Sequence, residues 1–284
     1  MKRIFVCPLV LLMLLLWSEP SRAQSRPLVT EDPETVPAGN LLIEAGLDFA
    51  DDVVYPVSGL RGRLWRLGTF GVSIGVSSIA EIQIDGGLRN RFSILERTAA
   101  PLAHMLDLST PTSTGDVEDL AIGAKVRFVS ETASRPAVAI RFWTRLPNAG
   151  NESGLGLDTT DFHFGLAIAK TVRSVRTVGN IGFGILPDPA RGDRQNDVLD
   201  YGLSVARAVR TGVEVVGELN GRLNTRAGEP PTGTESRALV RMGSRYTRGP
   251  VRVDGALTIG VTERDPSWGF TTGVTWVFHA FTIE

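Results

Sequence analysis

The chain contains one cysteine, Cys7, and it lies inside an apolar leader. Met1-Lys2-Arg3 gives that leader a basic start, Ile4 to Trp17 is apolar almost without interruption, and Ser21-Arg22-Ala23 places small residues where a signal peptidase reads. Cleavage is expected after Ala23, so residues 1–23 form a signal peptide and the mature chain starts at Gln24. The mature part then has no cysteine, which excludes disulfides and thiolate metal sites. Lysine is almost missing as well. Beyond the leader only Lys125 and Lys170 occur, and every other basic residue is arginine. Acidic and basic residues nearly balance, 31 against 30, so no basic field marks a nucleic-acid binder. Past the leader no apolar run approaches the ~18 residues that a membrane-crossing helix requires. Aromatic residues make up only 7% of the chain.

What is present is a rhythm of alternating apolar and polar residues. Successive side chains of a strand point to opposite faces, so this period marks a sheet with one oily and one wet side. Twelve strands are predicted, over 40–50, 60–76, 80–94, 116–129, 136–146, 160–172, 177–187, 197–209, 213–224, 236–247, 251–262 and 268–281. The connections alternate in length. Those at 77–79, 130–135, 173–176, 210–212 and 248–250 are short. Those at 51–59, 95–115, 147–159, 188–196, 225–235 and 263–267 are mostly longer. An even strand count with short turns at one end and long loops at the other is the pattern of an up-and-down transmembrane β-barrel of the bacterial outer membrane, the long loops extracellular. Recurrent glycines such as Gly71 and Gly75, or Gly182 and Gly184, argue against helix, where each costs roughly 1 kcal/mol. No linker divides residues 40–284, which are read as one barrel domain.

The faces follow from cost. Phe162, Phe164, Leu166 and Ile168 share one side of their strand and His163 the other. Arg237, Arg241 and Arg245 share one side of 236–247. An arginine on the lipid face at mid-membrane costs roughly 2–4 kcal/mol, so these three should point inward. The same logic predicts a wet lumen lined by Glu44, Asp48, Glu81, Gln83, Asp85, Arg89, Arg91, Arg127, Arg141, Arg145, His163, Asp200, Glu214, Glu218, Arg222 and Arg252. The planar guanidinium suits such a wall, because it can pair with carboxylates. Whether the lumen is open or filled by those pairs is left open. Trp65, Trp143, Trp268 and Trp276 are candidates for interface girdles, and Trp65 and Trp143 fit the lumen equally well.

Two stretches carry a family resemblance. Pro27-Leu28-Val29-Thr30-Glu31-Asp32-Pro33-Glu34-Thr35-Val36-Pro37-Ala38-Gly39 is similar to the opening of the outer-membrane transporters grouped under the MetA-pathway of phenol degradation. Thr114 to Phe128, with Gly115-Asp116, Gly123, Lys125, Arg127 and Phe128, resembles a strand of the same family. Leu146-Pro147 and the glycine-rich loop at 150–156 with Asp158 also fit. The resemblance implies an outer-membrane barrel that passes small, hydrophobic or aromatic molecules, and it brings no catalytic residues.

The expected function is therefore a channel or transporter and not an enzyme, with no cofactor and no metal. Its expected partners are outer-membrane lipid, a small-molecule substrate and the barrel assembly machinery, the last despite an end, Phe281-Thr282-Ile283-Glu284, whose aromatic residue is three places in. A monomer is expected. The alternatives are a structural or adhesive barrel with a plugged lumen, an outer-membrane lipid hydrolase using His163, and a soluble exported β-protein. For a hydrolase the signal is thin: His104 falls in the longest loop, His279 at the last strand's end, and Gly165 stands where a serine would share the face of His163. The oxygen-rich loop 148–158 lacks the spacing of a calcium loop. Residues 24–39, poor in apolar side chains, are read as a periplasmic arm that could alternatively tuck into the lumen.

Overall fold

The computed structural model describes residues 25–282; the leader and its cleavage point lie outside them. The strands in chain order are β1 (Asn40–Tyr55), β2 (Leu60–Gly75), β3 (Ala80–Arg97), β4 (Ser113–Asp116), β5 (Leu120–Val129), β6 (Ala137–Leu146) and β7 (Asp161–Val172). They continue as β8 (Val175–Pro187), β9 (Gln195–Arg210), β10 (Val213–Asn224), β11 (Arg237–Arg248), β12 (Val251–Gly260) and β13 (Trp268–His279). Each pairs antiparallel with its sequence neighbours, β3 reaching β5 directly, and β1 pairs with β13 from Asn40↔His279 to Asp51↔Trp268. The sheet is thereby closed into a 12-strand barrel with β4 as a short addition beside the upper part of β3. Closure leaves the ladder of the twelve wall strands without an open seam, which is what lets a sheet sit in hydrocarbon; β4, which pairs with β3 alone among the strands, keeps a free edge beyond that ladder.

The predicted strand 116–129 is two strands. At residues 117–119 the ladder gives way to side-chain bonds. Asp119 accepts the N–H groups of Asn148 and Ala149, and Asp116 accepts those of Val117 and Gly150. Short acidic side chains compete with strand pairing in this way. β1 and β3 also run further than predicted, so the first long connection shrinks to residues 56–59.

The two faces separate cleanly over most of the wall. Phe162, Phe164, Leu166 and Ile168 of β7 are exposed on the outside, while His163, Ala167 and Ala169 are buried within. Ile181 and Phe183, Leu203 and Val205, Leu257 and Ile259 continue the apolar exterior around the barrel. Phe49, Trp65, Trp268 and Phe270 cluster on that exterior toward the long-loop end, with Phe49 and Trp65 centroids 4.8 Å apart. Trp276 and Phe278 pack at 4.4 Å toward the other end. Trp268 and Trp276 lie about 26 Å apart along their strand, which a tilt of about 40° reduces to about 20 Å along the membrane normal, most of the height of the ~25 Å apolar band of such barrels. Trp143, the remaining girdle candidate, faces inward.

β2 and β3 break the alternation together. Gly68 adopts a left-handed backbone, φ +68°, beside a register shift between β1 and β2 at Gly46/Leu47. Leu67 pairs with Arg89 and Trp65 with Arg91, and all four side chains are exposed. Cross-strand partners share a face, so Arg89 and Arg91 stand outside. This corrects their expected place in the lumen. Below the break Glu81 and Gln83 point inward; above it Asn90 and Phe92 do.

Candidate functional site

The lumen holds the site, and the arm is its largest component. Residues 25–36 run inside the barrel across its short-turn half, the second of the two placements considered for them. The arm has few apolar side chains, and its backbone donors and its acids find partners on the wall. Val29 and Thr30 donate their N–H groups to the Glu218 carboxylate, and Glu31 donates to Asn180 Oδ1 at 2.6 Å. The Asn180 amide returns a bond to the Glu31 carbonyl. Arg176 grips Asp32 with two bonds, 2.5 and 2.6 Å, and also reaches Glu131 at 2.9 Å. Arg127 pairs with Glu34, and Val36 N–H donates to Glu81. Arg26 crosses to Thr271, the Thr272 carbonyl and Asp254.

At the centre lies Lys125, fully buried. Its ammonium is 2.7 Å from Glu31 Oε1, 3.0 Å from Glu81 Oε1 and 2.9 Å from the Asp32 carbonyl. A lone buried ammonium would cost several kcal/mol; two carboxylates and a carbonyl offset that here. Leu28 adds an apolar anchor against Ala206 and Val216.

Above the arm a cavity of about 760 Å³ occupies the lumen. Its walls carry Glu44, Asp48, Asp85, Arg66, Arg141 and Arg241 among others. Most of these are paired. Arg66 bridges Asp48 and Glu118, Arg141 donates to Gln83 and lies 3.6 Å from Asp85, and Arg241 donates to Glu218 and Asn220. Glu44 accepts from Thr275. Lower on the wall Arg245 bonds Glu214 at 2.7 Å, with Arg252 4.0 Å from the same carboxylate. Arg145 pairs with Asp161, and Arg127 sits at the short-turn rim beside the Ser78 carbonyl. His163 stacks on Trp143 at 3.7 Å with rings 3° from parallel, and its Nδ1 lies 2.6 Å from Asp200. Its ring is thus held between an indole and a carboxylate, with Gly184 behind it.

The long-loop end is narrowed by loops folding inward. Val57 and Ser58 of residues 56–59 are buried, and Ser58 donates to the Gly154 carbonyl at 2.7 Å. Val53, Leu60, Leu64 and Phe92 form an apolar cluster there, with Tyr55 edge-on to Phe92 and Leu106 and Leu155 packed against it.

Arg66, Arg176, Asn180 and Arg26 belong to this network and were missed from the sequence. Arg176 closes a predicted turn, 173–176, and the others lack a partner visible nearby in the chain. An inward parity count would have found Asn180 beside Gly182 and Gly184.

No protein-family model matches the chain, and no curated protein does. Solved structures do. An outer membrane channel of the COG4313 group from Pseudomonas putida F1 superposes with a TM-score of 0.59 at 12% identity, over 87% of this chain and 98% of that one. The NanC porin does so with a TM-score of 0.52 at 8% identity, over 83% and 98%. The likeness shows the fold. Together with the apolar belt it makes this chain a bacterial outer-membrane β-barrel.

Proposed function

We propose that the protein is a channel for small molecules. The observation that carries this reading is the cavity of about 760 Å³ on the barrel axis, charged on its walls and bounded, not filled, by the arm below and the loops above. Two proteins of the same fold are named as a channel and a porin, which supports it. A finer reading, that the solutes are hydrophobic or aromatic, rests on the resemblance of residues 27–39 and 114–128 to the phenol-pathway transporters. Transport needs no covalent chemistry: paired charges set which solutes pass, and the arm and loops set how freely.

A second reading has one observation in its favour. The arm spans the short-turn half of the lumen with polar contacts to several strands, as a permanent plug would. Planar-bilayer recording and liposome swelling of the full chain separate the two. Discrete conductance steps with uptake of small solutes support the channel. A silent bilayer with intact, folded barrel in it would leave the plugged barrel standing.

A further inference from the structure

Arg222 of β10 and Arg237 of β11 are direct cross-strand partners. Like charges placed opposite one another destabilise a sheet, and such pairs are normally relieved by a carboxylate. Here none is within ion-pair distance of either guanidinium among the described residues. Arg222 spends its bonds on the carbonyls of Glu235 and Gly233, at 3.0 and 2.7 Å. Arg237 Nε is buried and has no hydrogen-bond partner. Two carboxylates whose field reaches Arg222 are engaged elsewhere: Asp161 with Arg145, and Glu235 with the Gly233 N–H.

Both arginines, with Arg145 from across the lumen, line a separate cavity of about 210 Å³. Its other walls are mostly apolar: Pro56, Val57, Leu155 and Leu157 from the inward loops, and Tyr55; Ser58 also lines it, with its hydroxyl already bonded to the Gly154 carbonyl. Tyr55, Arg145, Leu155 and Arg237 also line the main lumen cavity, so the two spaces adjoin. From this geometry we infer a binding site for a small monocarboxylate with an apolar body, its carboxylate between Arg222 and Arg237 and its chain under the loops. A planar carboxylate matches the guanidinium fork, and the missing counter-charge is what the site lacks. The volume suits a short acyl chain and is too small for a sugar oligomer. A site at the loop end of the lumen would select solutes as they enter. That role rests on the channel reading, whereas the binding itself does not.

The test is isothermal titration of the folded full-length protein in detergent with hexanoate, hexanamide and inorganic phosphate. Hexanoate should bind, and hexanamide, of the same shape without the charge, should not. Arg237→Gln and Arg222→Gln should each weaken hexanoate about tenfold or more. Leu157→Asp, a loop change that leaves the strands alone, should abolish binding by supplying an internal counter-charge. Failure of the wild type to bind hexanoate, equal binding of hexanamide, phosphate binding as tightly as hexanoate, or unchanged affinity in the variants would each overturn the site. Conductance of the same preparation keeps the two ideas apart. A pore that ignores hexanoate removes the site and keeps the channel; hexanoate binding by a non-conducting barrel does the reverse.

Discussion

The ammonium of Lys125, on β5, bonds Glu31 of the arm at 2.7 Å and lies 3.0 Å from Glu81 of β3, with no exposure to solvent. One buried cation therefore ties a non-strand segment to the barrel wall. Breaking a buried pair by deleting one partner costs more than the pair contributes, because the other charge is stranded. Lys125→Met leaves Glu81 without a cation and Glu31 with only the more distant Arg141, 3.8 Å away; Glu31→Gln leaves Lys125 with Glu81 and the Asp32 carbonyl. Lys125→Met should cost about 3–5 kcal/mol and Glu31→Gln clearly less, read by urea unfolding in lipid or detergent. Equal effects would show that Glu81 does not hold Lys125 on its own.

The arm also has a peripheral clamp, Asp32–Arg176–Glu131. Arg176→Ala removes both bonds to Asp32 at once. The closed ladder of the barrel does not depend on this side chain, so heat-modifiable gel mobility should be unchanged. Mean conductance should rise as the arm loosens. Conductance identical to wild type would mean that the remaining contacts, from Lys125, Glu218, Asn180, Arg127 and Arg26, hold the arm without the clamp.

Much of this was legible in the chain, and the exceptions have physical causes. The alternation of Phe162, Phe164, Leu166 and Ile168 against His163 marks β7 without help, since a period of two has no other explanation over that length. The inward direction of Arg237, Arg241 and Arg245 follows from the cost of charge in lipid. Arg89 and Arg91 were misplaced because a break such as that at Gly68 moves every residue beyond it to the opposite face, and nothing in a two-residue period announces it. The destination of the arm was undecided because its partners, Lys125, Arg176, Asn180 and Glu218, are scattered over three strands, β5, β8 and β10. They converge only when the sheet closes. Arg222 and Arg237 were both read as inward, but their opposition depends on a register that the loop 225–236 conceals.

A pH dependence follows from Glu131, which lies in the turn between β5 and β6. Burial pushes its carboxyl up, but the Thr171 N–H and the Arg176 guanidinium outweigh that and hold it below the usual range. A carboxyl lowered on folding contributes stability above its unfolded pKa of about 4.3, and that contribution is lost as pH falls through the folded value. Wild type should therefore exceed Glu131→Gln in unfolding midpoint at pH 7, and the gap should narrow steadily from about pH 5 downward. A gap that stays constant to pH 3 would assign the effect to shape and not to charge.

Arginines inside and outside the wall should differ in what they control. Arg241 and Arg245 face inward and bond Glu218 and Glu214. Arg241→Ala with Arg245→Ala leaves those carboxylates with less compensation, so the lumen becomes more acidic and the reversal potential in a salt gradient should move toward cation preference. Arg89 and Arg91 are on the exterior, among the described residues without a carboxylate partner, beside Trp65 and Leu67. Their field is separated from the lumen by the wall and weakened by water and salt at the loop end. Arg89→Ala with Arg91→Ala should leave ion preference unchanged within error. A shift as large as that from the inner pair would mean that β3 keeps its alternation past Gly87 and that Arg89 and Arg91 point into the lumen after all. Unchanged preference in the inner pair would instead mean that ions do not pass Glu214 and Glu218, and the conducting path would have to avoid the arm.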